Sequence, residues 1–154
     1  MKFSSQEEYG LRCLLQLART GNNGTGRSIA EIAREEGLSV AYVAKLMRIL
    51  RIEGFVESVR GQEGGYSLSR SADAILVSDV LIALGGKMYE QDFCEQHAGN
   101  EDSCMHTVSC SIRPLWRRVQ DSIDAALKNL TVEDLLPNRE YVTIEMADEG
   151  LRLR

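Results

Sequence analysis

The sequence has no apolar run of about 18 residues, and Met1 to Ser4 lack the apolar stretch of a signal peptide. We therefore expect a cytoplasmic protein without a membrane segment. Aromatic residues are scarce, at 6% of 154 residues, so the 44% of hydrophobic residues should form a mainly aliphatic core. The chain also has no phosphate-binding loop and no nucleophile motif, which argues against an enzyme.

Positive charge is in deficit, because 18 Lys and Arg stand against 23 Asp and Glu and give a net charge of −5. DNA-binding proteins usually carry a basic face, so this sum argues against DNA. The distribution weakens that objection, since residues 39–70 contain five basic and three acidic residues, whereas residues 71–110 contain one lysine and seven acidic residues. A dimer would double the mildly basic segment, so DNA binding stays open.

The first part of the chain is patterned as a helix. Leucine and alanine residues three and four apart predict a helix from about Gln6 to Arg19. Ser4 or Ser5 would cap it, with Glu7 or Glu8 completing a capping box.

Two further helices joined by a turn at Gly37 follow the pattern of a helix-turn-helix. Ser28 caps the second helix in a box with Glu31, and Ser39 caps the third, which runs from Val40 to about Glu53. The inner face of the third helix would consist of Val43, Leu46, Met47 and Leu50. This helix would enter the major groove of double-stranded DNA and present Tyr42, Lys45 and Arg48.

A β-hairpin is predicted directly after the helix-turn-helix. An alternating segment from Phe55 to Arg60 and a second from Tyr66 to Ser69 flank a glycine-rich turn. In this position a hairpin is typical of a wing, whose Arg60 and Gln62 could reach phosphates or a minor groove. The candidate DNA contacts are therefore Ser28, Ser39, Tyr42, Lys45, Arg48, Arg60 and Gln62.

The cysteines are concentrated in one loop, where Cys94, Cys104 and Cys110 follow the spacing C-x9-C-x5-C, together with His97 and His106. This loop has almost no large apolar residue, so packing alone would not order it. Soft thiolates bind zinc, copper(I) or iron-sulfur centres, and a disulfide is disfavoured in a reducing compartment. The absence of C-x2-C pairs makes zinc the weaker choice.

The C-terminal half is again helical. Val77 to Leu84 predict a short apolar helix capped by Ser78, and Pro114 lies in the first turn of a longer helix. Apolar residues in alternating three- and four-residue steps predict a dimerisation seam along this longer helix, formed by Ile112, Leu115 or Trp116, Val119, Ile123, Ala126 and Leu130. A last short helix spans Thr131 to Pro137.

These elements predict a mainly α fold with a small β-hairpin wing, that is, a winged helix-turn-helix followed by a long dimerisation helix. We divide the chain into the winged unit at 1–86, the cysteine loop at 87–110, the dimerisation and closing helices at 111–136, and a tail at 137–154 without an assigned function.

Several segments match one known family. They are Glu8 to Arg12, Leu38 to Tyr42, Val59 to Gly61, Gly64 to Tyr66, the three loop cysteines, and Leu130 to Leu135. Together they resemble the Rrf-type winged-helix transcription regulators, which include IscR-like and NsrR-like iron-sulfur sensors. The resemblance covers roughly residues 1–136.

The resemblance implies a homodimer in which Cys94, Cys104 and Cys110 bind an iron-sulfur cluster. Arg113 occupies the place of the histidine ligand of the IscR type and cannot ligate. The NsrR type instead implies Glu8 of the partner subunit as the fourth ligand, with His106 as the alternative. The spacing between the first two cysteines leaves the cluster type open between 4Fe-4S and 2Fe-2S.

The resemblance also bears on the operator, because Ala44 replaces the acidic side chain with which the IscR type discriminates bases. The preferred operator should therefore differ from that of the IscR type.

The sequence thus predicts a DNA-binding repressor whose operator affinity depends on an iron-sulfur cluster that senses redox state, nitric oxide or iron-sulfur status. Two alternatives remain at this point. One is a zinc or thiol-switch regulator, in which His106 could complete a tetrahedral site with the three cysteines. The other is an iron-sulfur electron carrier, for which the chain shows no docking or substrate site.

Overall fold

The computed structural model describes residues 4–20, 26–60, 64–90, 93–98 and 109–137, together with Cys104 and His106. In chain order the elements are α1 (Ser5–Arg19), α2 (Ile29–Glu36), α3 (Val40–Ile52), β1 (Val56–Val59), β2 (Gly65–Leu68), a 3-10 turn (Ala72–Ala74), α4 (Val77–Gly85), α5 (Phe93–Gln96), α6 (Arg113–Ala126) and a second 3-10 turn (Glu133–Leu135). The predicted fold class, mainly helical with one β-hairpin, is confirmed. The tail beyond Pro137 lies outside the described residues.

The first two helices begin at serine caps. Ser4 accepts the N–H of Glu7 and the Glu7 carboxylate accepts the N–H of Ser4, which completes the capping box of α1. Ser28 and Glu31 form the same arrangement at α2. The box at α1 therefore uses the first of the two predicted serine–glutamate pairs, and the carboxylate of Glu8 takes no part in it.

The predicted turn at Gly37 is confirmed, and its first residue has a left-handed backbone conformation. Gly37 ends α2 with φ 67°, and the N–H of Leu38 bonds to the carbonyl of Ala33 at 2.9 Å. Ser39 then caps α3 by accepting the N–H of Tyr42 at 3.2 Å. The four predicted inner residues of α3 are all buried, and they pack with residues of α1 and α2 into one aliphatic core that includes Leu14, Leu17, Ile32, Val43, Leu46, Met47 and Leu50.

The wing is tied to the start of α2. β1 and β2 pair antiparallel, with Val56 opposite Leu68 and Val59 opposite Gly65. Arg27 pairs with Tyr66 through two backbone hydrogen bonds of 2.9 and 2.8 Å, which adds a further rung beside β2. The backbone of Arg27 passes so close to Gly65 that a Cβ there would overlap its carbonyl. Position 65 therefore requires glycine for close approach.

The predicted cap of α4 at Ser78 is wrong. The cap residue lies two positions earlier, at the extended Leu76, and the helix begins at Val77. Leu76 is extended because it pairs with Thr131, where the N–H of Val77 bonds to Leu130 and the N–H of Val132 bonds to Ile75, both at 2.9 Å. A long-range backbone pairing thus sets the helix start, and local sequence does not reveal it.

The long helix α6 begins with Pro114 in its first turn, as predicted. The helix ends at Ala126, so the helical seam predicted through Leu130 is too long by one turn. Asn129 adopts φ 63°, a left-handed conformation that is incompatible with continuing a right-handed helix. Ile112, Leu115 and Trp116 are exposed in the single chain. None of the described helices is long and apolar enough to cross a membrane.

The contact between Gly65 and Arg27 generates a test of the wing. We expect Gly65→Ala to lower the free energy of unfolding by about 1–3 kcal/mol, because the added methyl group must displace backbone rather than a side chain. Chemical denaturation checks this. Ser58→Ala, at an exposed position of the same hairpin, should change stability by less than about 0.5 kcal/mol. Equal stability of the Gly65→Ala variant and the wild type would contradict the close approach.

The burial of Cys13 generates a second test. Burial, and to a lesser extent the charge of Glu36, raises the pKa of the Cys13 thiol to about 11. In chelator-treated native protein at pH 8, iodoacetamide should modify Cys94, Cys104 and Cys110, which are only half-buried, and leave Cys13 unmodified until denaturant is added. Mass spectrometry of the tryptic peptides measures this. Alkylation of Cys13 as fast as of Cys94 would refute its burial.

Candidate nucleic-acid interface and cysteine site

The outer face of α3 is open to solvent. Lys45 and Arg48 are exposed, and both leave the helix opposite its buried face. Tyr42, in contrast, is half-buried. Its ring packs edge-on against the ring of Tyr9 of α1, with the ring centroids 6.1 Å apart. Of the three side chains predicted to face the groove, two are therefore freely presented and the third is held partly against α1.

The two serines among the candidate contacts act as helix caps. Ser39 is exposed, and its oxygen is occupied by the N–H of Tyr42. The Ser28 hydroxyl donates to the Glu31 carboxylate at 2.7 Å, and this bond, followed by the bond from the Ser28 N–H, holds the pKa of Glu31 below its usual value. Both serines thus sit at the N-terminal ends of the two helices, where partial positive charge accumulates.

The wing supplies one further described cation. Arg60 is exposed directly after β1. Gln62, the other predicted wing contact, lies outside the described residues.

A polar network that sequence reasoning missed supports this face. Arg27 donates two hydrogen bonds to the Glu35 carboxylate, at 2.7 and 2.6 Å, and one to Gln16 at 2.8 Å. The bond from Arg27 lowers the pKa of Glu35. Gln16 in turn donates to Glu36, which also accepts from Arg12 at 2.7 Å. Because Arg27 is also the backbone partner of the wing, the network links α1, α2 and the hairpin.

Two of the three loop cysteines share a contact with one arginine. The N–H of Arg113 donates to Cys110 Sγ at 3.3 Å, and its guanidinium donates to Cys94 Sγ at 3.8 Å. The contact with Cys94 raises the pKa of the Arg113 guanidinium above its usual value. The sequence identified Arg113 only as a residue that cannot ligate, whereas the structure places it between the two ends of the loop.

The start of the loop is fixed by aromatic and amide contacts. The ring of Phe93 stacks on that of His97 with centroids 4.0 Å apart, and His97 Nδ1 lies 2.8 Å from the Phe93 carbonyl. The N–H of Tyr89 donates to the buried Gln120 of α6 at 3.1 Å, and Gln120 donates to Asp124 at 2.8 Å. The loop therefore begins beside the middle of α6 and ends at its first residue.

The loop cysteines and His106 are suitable ligands for a soft metal centre, but the described residues of a single chain do not bring them together. Cys94, Cys104 and Cys110 are free and half-buried, and His106 is exposed. Among the described residues no three His, Cys, Asp or Glu side chains lie close enough to hold a metal ion. Glu8 lies on α1 with 63% of its side chain exposed, and its carboxylate is 3.9 Å from Arg12.

Comparison with known proteins gives the family. The Rrf2 family, described as an iron-dependent transcriptional regulator, matches residues 3–138. Protein rrf2 of Nitratidesulfovibrio vulgaris is 34% identical over 136 residues, which is 88% of this chain and 87% of that protein. The transcriptional regulator IscR of Erwinia tasmaniensis is 31% identical over 144 residues, which is 94% of this chain and 84% of that protein.

Solved structures agree with this result. IscR of T. potens is 29% identical, with a TM-score of 0.70 over 94% of this chain and 92% of that one. The oxidized form of CymR from Staphylococcus aureus is 30% identical, with a TM-score of 0.67 over 91% of this chain and 99% of that one. Both likenesses extend over the winged unit and α6, since they span nine-tenths of the chain or more. The chain therefore belongs to the Rrf2 family of winged-helix, DNA-binding transcription regulators.

Proposed function

We propose that the chain is a homodimeric repressor whose affinity for a double-stranded operator is controlled by an iron-sulfur cluster in the cysteine loop. The observation that carries the DNA part is the outer face of α3, where Lys45 and Arg48 stand exposed on a helix whose opposite face is buried. In this family architecture α3 is the recognition helix and enters the major groove.

Each candidate contact has a role that follows from its chemistry. Lys45 and Arg48 would bind base edges or phosphates in the groove, and Arg60 with Gln62 would reach the flanking backbone from the wing. Ser28 and Ser39 would bring the N-terminal ends of α2 and α3 against phosphates. Tyr42 would add its hydroxyl while its ring stays packed on Tyr9. Lys45, Arg48 and Arg60 would supply the positive charge of this interface in a protein that is acidic as a whole.

Dimerisation would occur through α6. Ile112, Leu115 and Trp116 leave an apolar surface exposed on the single chain, at the end of the helix that carries the cysteine loop. Two copies related by a twofold axis would present two recognition helices to a palindromic site. The same arrangement would allow Glu8 of the partner subunit to approach the loop cysteines.

The loop would respond to the cluster through Arg113. When bound, an iron-sulfur cluster supplies a redox-active centre that oxidants or nitric oxide attack. Cys94, Cys104 and Cys110 would hold it, and Arg113 would donate hydrogen bonds to two of the three sulfurs. Because Arg113 and Gln120 tie the loop to α6, a change in the loop would alter the helix that joins the two subunits. The spacing of the recognition helices, and with it operator affinity, would then change.

A second candidate keeps the DNA function and replaces the cluster with a thiol switch or a zinc ion. It is favoured by two observations: the solved relative CymR was obtained in an oxidized form, and Cys94 and Cys110 contact the same arginine. A peroxide could oxidise these two thiols to a disulfide, taking up their two protons and two electrons as it is reduced to water, and this bond would join the two ends of the loop without a metal. Metal content separates the two candidates.

The cluster proposal is tested with Cys104→Ala. Anaerobically purified wild type should be brown, with broad absorption near about 400 nm and either two or four irons per chain, since thiolate-bound clusters absorb there. The Cys104→Ala variant should lose the band and the iron, whereas Cys13→Ala, which alters the buried core cysteine, should keep both. Stoichiometric zinc in a colourless wild-type protein would instead support the second candidate, as would a metal-free protein with an oxidation-sensitive operator affinity.

The DNA proposal is tested with Arg48→Ala on duplexes selected in vitro by the wild type. If Arg48 contacts a base, we expect the variant to lose about 1–3 kcal/mol of binding free energy. If Arg48 binds a phosphate, the slope of log K against log salt concentration should fall in magnitude by about one. Arg118→Ala removes the same charge from an exposed position on α6 and should change neither value. Unchanged affinity and slope in Arg48→Ala would remove Arg48 from the interface, and failure to select any duplex would reject the DNA function.

A further inference from the structure

We propose that Val40 determines operator specificity by contacting the 5-methyl group of a thymine in the major groove. This inference rests on the proposed DNA-binding function and adds to it a base and a chemical group. Nothing in the cation contacts described above selects thymine, because Lys45 and Arg48 can donate hydrogen bonds to the major-groove acceptors of guanine, adenine and thymine alike, and to phosphates.

The first observation is the exposure of Val40. It is the first residue of α3, directly after the Ser39 cap, and 56% of its surface is accessible. Val40 does not belong to the core or to the partly buried residues that pack against it. A β-branched side chain gains little from a helix and is normally kept in such a place by what it touches. More than half of the Val40 surface is therefore free to meet a partner molecule.

The second observation is the chemistry of the residues around Val40. Ala41 is exposed and Ala44, one turn further along, is half-buried; both carry only a methyl group. The Ser39 hydroxyl oxygen is engaged in capping the helix. Val40, Ala41 and Ala44 therefore present methyl groups, and none of the three carries a side-chain donor or acceptor.

The third observation is charge. Lys45 and Arg48 follow on the same helix and are both exposed, so the apolar patch of Val40, Ala41 and Ala44 is continuous with a cationic surface. A DNA duplex provides both partners for this surface, because its phosphates would meet the cations and its base edges would meet the apolar patch. The N-terminal residues of a recognition helix are also those that reach the bases.

The ligand follows from the base edges themselves. In the major groove, thymine alone among the four bases presents a methyl group, and the other bases present hydrogen-bonding groups that a valine would leave unsatisfied. Val40 therefore attracts thymine by apolar contact and disfavours the other bases by desolvating their donors and acceptors. The expected operator has a thymine where each recognition helix begins.

The experiment uses duplexes selected in vitro with the anaerobically purified full-length chain. Each thymine of the tightest duplex is replaced in turn by deoxyuridine, which removes only the 5-methyl group, and dissociation constants are measured at fixed salt. For wild type, at least one replacement should weaken binding by about fourfold, the value of one buried methyl group. For Val40→Ala the same replacement should change binding by less than about twofold, which gives a coupled double-mutant cycle.

Ile52→Ala is the matched control, because Ile52 is an equally apolar and exposed residue, 64% accessible, at the opposite end of α3. It should keep the full thymine effect. A second variant, Val40→Asn, provides an adenine-reading amide, and selection with it should replace thymine at the contacted position by adenine. Circular dichroism confirms that each variant is folded.

The outcomes separate the inference from the function on which it rests. A selected operator without any thymine whose methyl effect depends on Val40, or an unchanged base preference in Val40→Asn, overturns the role of Val40 and leaves the DNA function intact. A wild-type chain that selects no duplex overturns both.

Discussion

The orientation of α3 depends on the burial of its inner face. Val43, Leu46, Met47 and Leu50 are removed from water against α1 and α2, and each such side chain contributes about 1.5–3 kcal/mol relative to exposure. With that face fixed, the opposite face has to point outward, and it carries Lys45 and Arg48. The aliphatic core therefore both stabilises the winged unit and selects which side chains can meet DNA.

Polar contacts fix the relative positions of α2, α3 and the wing, which the aliphatic core alone does not determine. Gly37 and Ser39 fix the turn between α2 and α3, while Arg27 binds Glu35 and Gln16 through its side chain and the wing through its backbone. The wing and the helix-turn-helix consequently share one support. Movement of the hairpin would require breaking charge-assisted hydrogen bonds that are partly shielded from water.

The cysteine loop is connected to the winged unit through α6 and the segment after it. Arg113 and Gln120 hold the two ends of the loop, and the residues that follow α6 return to pair with Leu76, at the start of α4. The chain thus runs from the core to the cysteine loop and back to the core. The proposed change in the loop would follow this path to the winged unit.

Local sequence determined the elements whose signals are local: the serine caps, the left-handed Gly37, the apolar face of α3, the hairpin and Pro114 at the start of α6. Only tertiary structure decided features that depend on residues far apart in the chain. The start of α4 moved from Ser78 because Thr131 pairs with Leu76, and Tyr42 turned partly inward because Tyr9 lies beside it. The contacts of Arg27 and Arg113 likewise join segments that no periodicity relates. The spacing of residues along the chain determines which side chains share a face of a helix. Which element packs against that face is determined by the tertiary structure.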